Sequence, residues 1–489
     1  MFIWTALGTI SVTVIVYYIW AFQYWKRRNL PFLQPQIPFG NVPNPFTCKE
    51  HMGITMQKVY KEMKKRKWKH GGVYQLTTPI YVVVDLDFVK NIMAKDFEYF
   101  GDRGTYYNEK DDPVSAHLFA MAGSKWKNLR TKLTPSFTPG KIKAMFQILL
   151  ECEAKLQEKM LLEYNKKQPI NIKDVLNCFT IEIIVSCVFG LACKTDKDET
   201  SPFKMYGEHL FSSASFVKIV FASTCPDLAR RLGVRLTPKA ASDFFLQVAQ
   251  KCVAYRENNN RGHNDFLQLL VDMKNNNVLT LEQIAAQIFV FFLAGFETSA
   301  NLTTFVLYEL SKNQDIQEKA RAEIETVLIK SGGKITYESL QDLKFVSQII
   351  DESMRKYPPL LQIPRKCVQN YKVPGEDVII EKGTCVVIPV LAIHYDEEYY
   401  PNPEKFDPER FTEENKKLRH QYSHIPFGEG PRICIAKRFG MLNVKLGLVS
   451  LLKHYKFTVD ARTMEPLRMI VNSFVTAAEG DIWLNVEKI

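Results

Sequence analysis

The sequence predicts a mainly α protein with small β-sheets, carried behind an N-terminal transmembrane helix. Three observations support this. From Asp87 onward apolar residues recur at helical spacing. Strand-like alternation is confined to a short stretch, Gly72 to Asp85, where two runs flank an expected turn at Thr77-Thr-Pro79. Phe2 to Trp25 holds no charged residue, and a helix needs about 20 apolar residues to cross a bilayer.

That first element competes with a secretory signal peptide. A signal peptide has a shorter apolar core, a basic segment before it and a small-residue cleavage site after it. Here the preceding flank is uncharged and Lys26-Arg27-Arg28 follows. Tyr17, Tyr18, Trp20, Tyr24 and Trp25 gather at the same end, as in an interfacial aromatic belt. Residues 1–25 therefore read as an uncleaved signal-anchor, and the positive-inside rule leaves the remainder in the cytoplasm. Prolines 31, 35, 38, 43 and 45 then make residues 26–46 a semi-rigid spacer.

With 489 residues, 46% of them hydrophobic, the chain can bury a large core. Length alone suggests about three domains. The polar breaks at Lys194–Pro202, Arg256–Asn264 and Lys274–Asn277 are too short to separate independent ones, so residues 47–489 read as one large, mostly helical body. Ten scattered cysteines form no C-x-x-C pair, which argues against zinc, iron–sulfur clusters or a disulfide framework and for a reducing compartment. The formal net charge of +11 favours anionic membrane surfaces or acidic partners. It is not gathered into a tail, and no nucleic-acid-binding motif is present.

Within the body, Thr280 starts a central helix with Gln283 completing a capping box. Ile284 to Ala294 is apolar on nearly every side, so this helix is buried and runs to about Leu310. Ala294-Gly-Phe-Glu-Thr-Ser299 interrupts it with a carboxylate and a hydroxyl, costly there unless satisfied. Thr298 can bond back to the Ala294 carbonyl, and Gly295 lets another group approach the backbone. Trp126 and Arg130 share one helix face at i and i+4, as a surface cation–aromatic pair also would. Glu352 and Arg355 stand at i and i+3 among apolar neighbours.

The chain is organised around Pro426-Phe-Gly-Glu-Gly-Pro-Arg-Ile-Cys-Ile-Ala436. Gly428, Gly430 and Pro431 make an irregular loop. Ile435, Phe439, Leu442, Leu446 and Val449 then follow at helical spacing, placing Cys434 at or near a helix N-terminus. The helix dipole and Arg432 both favour a thiolate, which suits a soft metal or a haem iron. A lone cysteine at a helix start also fits an inert buried thiol.

The loop Phe-Gly-x-Gly-x-Arg-x-Cys resembles the haem-ligand loop of the cytochromes P-450, with Ala436 where that family usually has glycine. Ala-Gly-x-Glu-Thr at 294–298, Glu-x-x-Arg at 352–355 and Pro-Glu-Arg-Phe at 408–411 occur in family order. Asn108 to Phe119 and Pro426 to Arg432 are most similar to the insect microsomal detoxification branch. The resemblance implies the family's helical prism with small β-sheets and one haem b. Cys434 would be the iron ligand. Trp126, Arg130, Arg365 and Arg432 would bind the propionates, with Arg103 a weaker candidate. Glu297 and Thr298 would relay protons during oxygen activation. Glu352, Arg355 and Arg410 would lock the cysteine-bearing loop. Arg365 alone fits a solvated strand-edge arginine equally well.

The implied reaction inserts one oxygen atom from O2 into an apolar small molecule: a xenobiotic such as a plant toxin or insecticide, or an endogenous lipid or hormone. Electrons would come from NADPH through a separate membrane-bound flavoprotein reductase, with cytochrome b5 a further candidate partner. The setting would be the endoplasmic reticulum membrane, body facing the cytoplasm. Lys127, Lys132, Lys437 and Arg438 would form a basic docking face. Substrate would meet His117–Ala120, Phe203–Phe221, Phe289–Ala294, Leu360–Ile363 and Phe474–Ala477, and the Phe211–Phe221 run would touch the membrane or form a buried loop helix. A haem-thiolate isomerase is the nearest rival, but such members tend to lose the Glu-Thr pair kept at 297–298. A non-catalytic haem sensor or electron carrier is the other, and no segment is left for an output module.

Overall fold

The structure is a computed structural model that describes all residues except 1, 45–46, 48–49, 191–201, 213–215, 259–265 and 472. The expected breaks at Lys194–Pro202 and Arg256–Asn264 lie mostly outside the described residues, as does the middle of the Phe211–Phe221 run. The architecture is mainly α with small sheets, as expected. The body expected over 47–489 is drawn from two compact units: Met1–Gly104 with Leu360–Pro401 and His420–Ile433, and Thr105–Pro359 with Asn402–Arg419 and Cys434–Ile489.

The first unit begins with helix α1 (Phe2–Ala21), whose described side chains are exposed to Tyr17. Helix α2 (Met52–Lys65) follows, capped by the His51 side chain. A four-stranded sheet contains β1 (His70–Gln75), β2 (Thr78–Val83), β3 (Ile363–Lys366) and β4 (Cys385–Ile388) in the order β1-β2-β4-β3. β1 and β2 form the predicted hairpin, but the turn falls at Leu76–Thr77, earlier than expected, because Gln75 already pairs with Thr78. Leu76 takes the left-handed conformation there (φ 53°). Pro79 sits in β2 without harm: pairing to β4 covers only Ile80–Val82, so no bond is asked of its missing N–H on that side.

The proline-rich stretch is tied down. Gly72 N donates to Pro31 O (2.8 Å), Leu33 N to Gly72 O (3.0 Å) and Asn41 N to Tyr74 O (2.8 Å). Trp25 and Leu30 are buried against the sheet's core.

The second unit is helical. Helix α3 (Gly123–Leu133) carries Trp126 and Arg130. Helix α4 (Ile172–Phe189) lies along the central helix α5 (Leu281–Lys312). The predicted capping box starts α5: Thr280 N donates to Gln283 Oε1 (3.0 Å) and Gln283 N to Thr280 Oγ1 (3.3 Å). Its 32 residues span about 48 Å at 1.5 Å each. Both α1 and α5 are long and apolar enough to cross a membrane, but 78% of the apolar window of α5 is buried against 11% for the N-terminal one. α5 is therefore a core helix. Helix α6 (Lys344–Lys356), helix α7 (Lys437–Leu452) and strands β5 (Tyr455–Val459) and β6 (Trp483–Lys488) complete the frame. β6 pairs with β5 and with the short strand Ile170–Asn171.

Candidate haem site

Gly428 and Gly430 adopt positive φ (68° and 72°), giving the irregular loop the sequence predicts. At Gly430 nothing larger fits, since a Cβ would fall on the Met93 carbonyl oxygen. A 3-10 turn spans Gly430–Arg432 and α7 begins at Lys437, so Cys434 stands just ahead of a helix start, as expected. Cys434 is exposed, which an inert core thiol would not be. Arg130 of the same unit acts on it: burial lowers the Arg130 pKa, and attraction to the Cys434 thiolate opposes that shift. Trp126, one turn earlier on α3, is buried.

Arg432, assigned above to favouring the thiolate, is engaged elsewhere. Its buried guanidinium donates from Nε to Gly101 O (2.8 Å) and pairs with Asp102 (3.4 Å). Arg103, the weaker candidate, donates to the Arg432 carbonyl (3.2 Å). Both arginines bind the loop to residues 101–103. Asp102 was missed by the sequence reading because 330 positions separate it from its partner.

Arg365 departs from the alternative of a solvated strand-edge arginine. β3 is an edge strand, yet Arg365 is 1% exposed. Its Nη1 donates to the Pro364 carbonyl (3.0 Å), while its buried Nε meets no acceptor among the described residues. Burial alone pushes its pKa down to about 10, with no carboxylate among the described residues to offset that. A buried cation without a counter-charge is costly.

Glu352 and Arg355 are both fully buried and paired at 2.7 Å, and Arg410 approaches Glu352 at 3.6 Å. Arg355 also donates to the Pro403 carbonyl (2.8 Å), and Asp407 N donates to Glu352 (2.9 Å). The triad thus fixes residues 403–410 onto α6, a structural role.

In mid-α5 the burial lapses on one face: Leu293, Gly295 and Thr298 are half-buried and Ala294 is exposed. Glu297 is buried. Thr298 Oγ1 donates to Ala294 O at 2.5 Å, the predicted back-bond. Gly295 lets α4 approach, as expected of it, since a Cβ there would strike Ile184 Cδ1. Rings pack against this helix, His117 lying 6.0 Å from Phe289 and Phe203 5.6 Å from Phe292, and elsewhere in the unit Phe119 lies 5.6 Å from Phe474. Lys127, Lys132, Lys437 and Arg438 are all exposed.

The second unit thus holds Cys434, Trp126, Arg130, Glu297 and Thr298, and the first holds Arg365 and Arg432. Within the second unit, Cys434 ahead of α7 offers the soft ligand that defines the haem-thiolate class of proteins. Comparison with known families matches residues 37–484 to the family Cytochrome P450. Cytochrome P450 6A1 of Musca domestica is 38% identical over 501 residues, covering 100% of this chain and 98% of that protein. Probable cytochrome P450 6a14 of Drosophila melanogaster is 38% identical over 489 residues, covering 96% of each. The chain belongs to the cytochrome P450 family, with insect relatives, and is by family a haem-dependent monooxygenase.

Proposed function

We propose that this protein is a membrane-anchored monooxygenase acting on apolar small molecules, xenobiotics foremost and endogenous lipids or hormones second. Residues 1–25 anchor it in the endoplasmic reticulum membrane, residues 26–46 connect, and 47–489 form the catalytic body in the cytoplasm. Electrons come from NADPH through a flavoprotein reductase, with cytochrome b5 as an accessory donor. The basic side chains Lys127, Lys132, Lys437 and Arg438 meet acidic groups on that partner.

The observation that carries the reading is the exposed Cys434 before α7 with Arg130 acting on it. Haem b, when bound, supplies dioxygen activation at a thiolate-ligated iron. Cys434 ligates it. Arg365, Arg432, Trp126 and Arg130 donate to its propionates, and Arg365 thereby gains the anion it lacks. The aromatic residues around mid-α5 exclude water and favour apolar substrates. Glu297 and Thr298 hold and pass protons, since a hydroxyl that donates to Ala294 still accepts on its remaining lone pairs.

The ferrous carbonyl complex of the full chain should show the red-shifted Soret band of thiolate ligation, and Cys434→Ala should lose it. Retention of the band by Cys434→Ala would overturn the assignment. Thr298→Ala should keep the band and still consume NADPH with reductase, but divert roughly tenfold more of it to hydrogen peroxide, about 1.4 kcal/mol in partitioning. Thr298→Ser should couple better. Measuring NADPH, peroxide and product together decides it, and parent-like coupling in Thr298→Ala leaves only the helix back-bond.

A further inference from the structure

A buried histidine meets the chain just before the cysteine loop. His394 ends the short helix Val390–His394 of the first unit and is fully buried. Its Nε2 accepts the Ile425 N–H at 3.0 Å. A ring nitrogen accepts only when it carries no proton, so this imidazole is neutral, with its proton on Nδ1. The His394 ring also stacks on His424, with centroids 5.2 Å apart and planes 28° from parallel. Tyr400 Oη donates to the Ser423 carbonyl (3.2 Å). Residues 423–425 are thus held at three successive positions.

The mount is itself fixed. Two residues past His394, Asp396 accepts from Tyr60 Oη (2.6 Å) and pairs with Lys64, both on α2. Tyr400 N donates to the Asp396 carbonyl (2.8 Å). Ile425 is where the loop begins: Pro426 has no N–H to offer, and Gly428 N turns back to the Ile425 carbonyl (3.0 Å). The Glu352 triad acts on residues 403–410, upstream of this point. A phenyl ring at 394 would fill much the same space, but only an unprotonated nitrogen satisfies the buried Ile425 N–H.

We propose that His394 is a positioning residue for the Cys434 ligand: its neutral Nε2 fixes the start of the 426–434 loop and so keeps the thiolate in place when haem is bound. This rests on the haem-thiolate reading above.

The test uses the full-length holoprotein and two replacements with opposite merits. His394→Phe keeps a stacking ring and removes the acceptor. His394→Gln loses the ring but brings Oε1 near where Nε2 lay. The readout is the rate at which the red-shifted ferrous carbonyl band gives way, at a fixed mild temperature, to that of haem without thiolate ligation. His394→Phe should lose the band roughly tenfold faster than the parent, and His394→Gln should stay within about threefold of it. A Phe variant as durable as the Gln variant overturns the proposal and leaves His394 a packing residue. A parent without the band overturns the Cys434 assignment, and this proposal with it. A second measurement does not need the Phe variant to bind haem. With 15N-labelled histidine in the parent, the His394 signal, identified by its absence from His394→Gln, should show a proton on Nδ1 and none on Nε2. A proton on Nε2 overturns the proposal.

Discussion

Arg355 and Arg365 are among the largest fully buried side chains in the protein, ten residues apart in sequence and opposite in environment. Arg355 meets Glu352 through two hydrogen bonds of 2.7 and 2.8 Å and spends a further donor on the Pro403 carbonyl. Arg365 has a carbonyl from its own neighbour and no carboxylate among the described residues. The first charge is balanced from within the chain and holds structure. The second has no such balance among the described residues, and it is the one proposed above to meet a haem propionate.

The comparison breaks most severely at Glu352. Glu352→Ala leaves Arg355 buried and unpaired, which costs about 3–5 kcal/mol, a large share of the roughly 5–15 kcal/mol that keeps a domain folded. Soluble yield and the urea midpoint should both fall; a midpoint within error of the parent would mean that the triad does not hold residues 403–410.

Arg365 should respond with the opposite sign. Burial lowers its pKa to about 10, which corresponds to about 3 kcal/mol of charge burial. Arg365→Leu should therefore stabilise the apoprotein by up to about 3 kcal/mol while weakening haem retention. Apoprotein melts and haem transfer to apomyoglobin measure the two. A destabilised apoprotein with unchanged haem transfer would make Arg365 a packing residue. The pH dependence sharpens this. Above about pH 10 the unfolded chain still holds a proton on Arg365 that the folded one has released, so parent stability rises with pH there. The advantage of Arg365→Leu should be full below pH 10 and shrink above it.

These differences were unequally legible in the sequence. Glu352 and Arg355 are neighbours on one helix turn, so spacing alone pairs them, and Thr280 with Gln283 marks the start of α5 in the same local way. The Cys434 loop was legible because glycine and proline write irregular backbone directly. Arg365 was not, because a strand-edge position says nothing of what covers it; its burial is tertiary. The action of Arg130 on Cys434 from α3, and the pairing of Arg432 with Asp102, join residues far apart in sequence and were not legible. Gly295 read as a place where another group approaches the backbone, and that group is Ile184 from α4. The proline run read as a spacer, and only the hydrogen bonds to β1 reveal where it docks.

The two tight glycines also differ in how far evolution can move them. At Gly430 the obstacle is the Met93 carbonyl, part of the main chain, which any amino acid at 93 would present. No second-site change of side chain can make room, so position 430 should have no suppressors. At Gly295 the obstacle is the tip of an isoleucine, and a smaller residue at 184 opens the space an alanine needs. One position is closed to drift, while the other can change whenever its neighbour across the α4–α5 seam changes first.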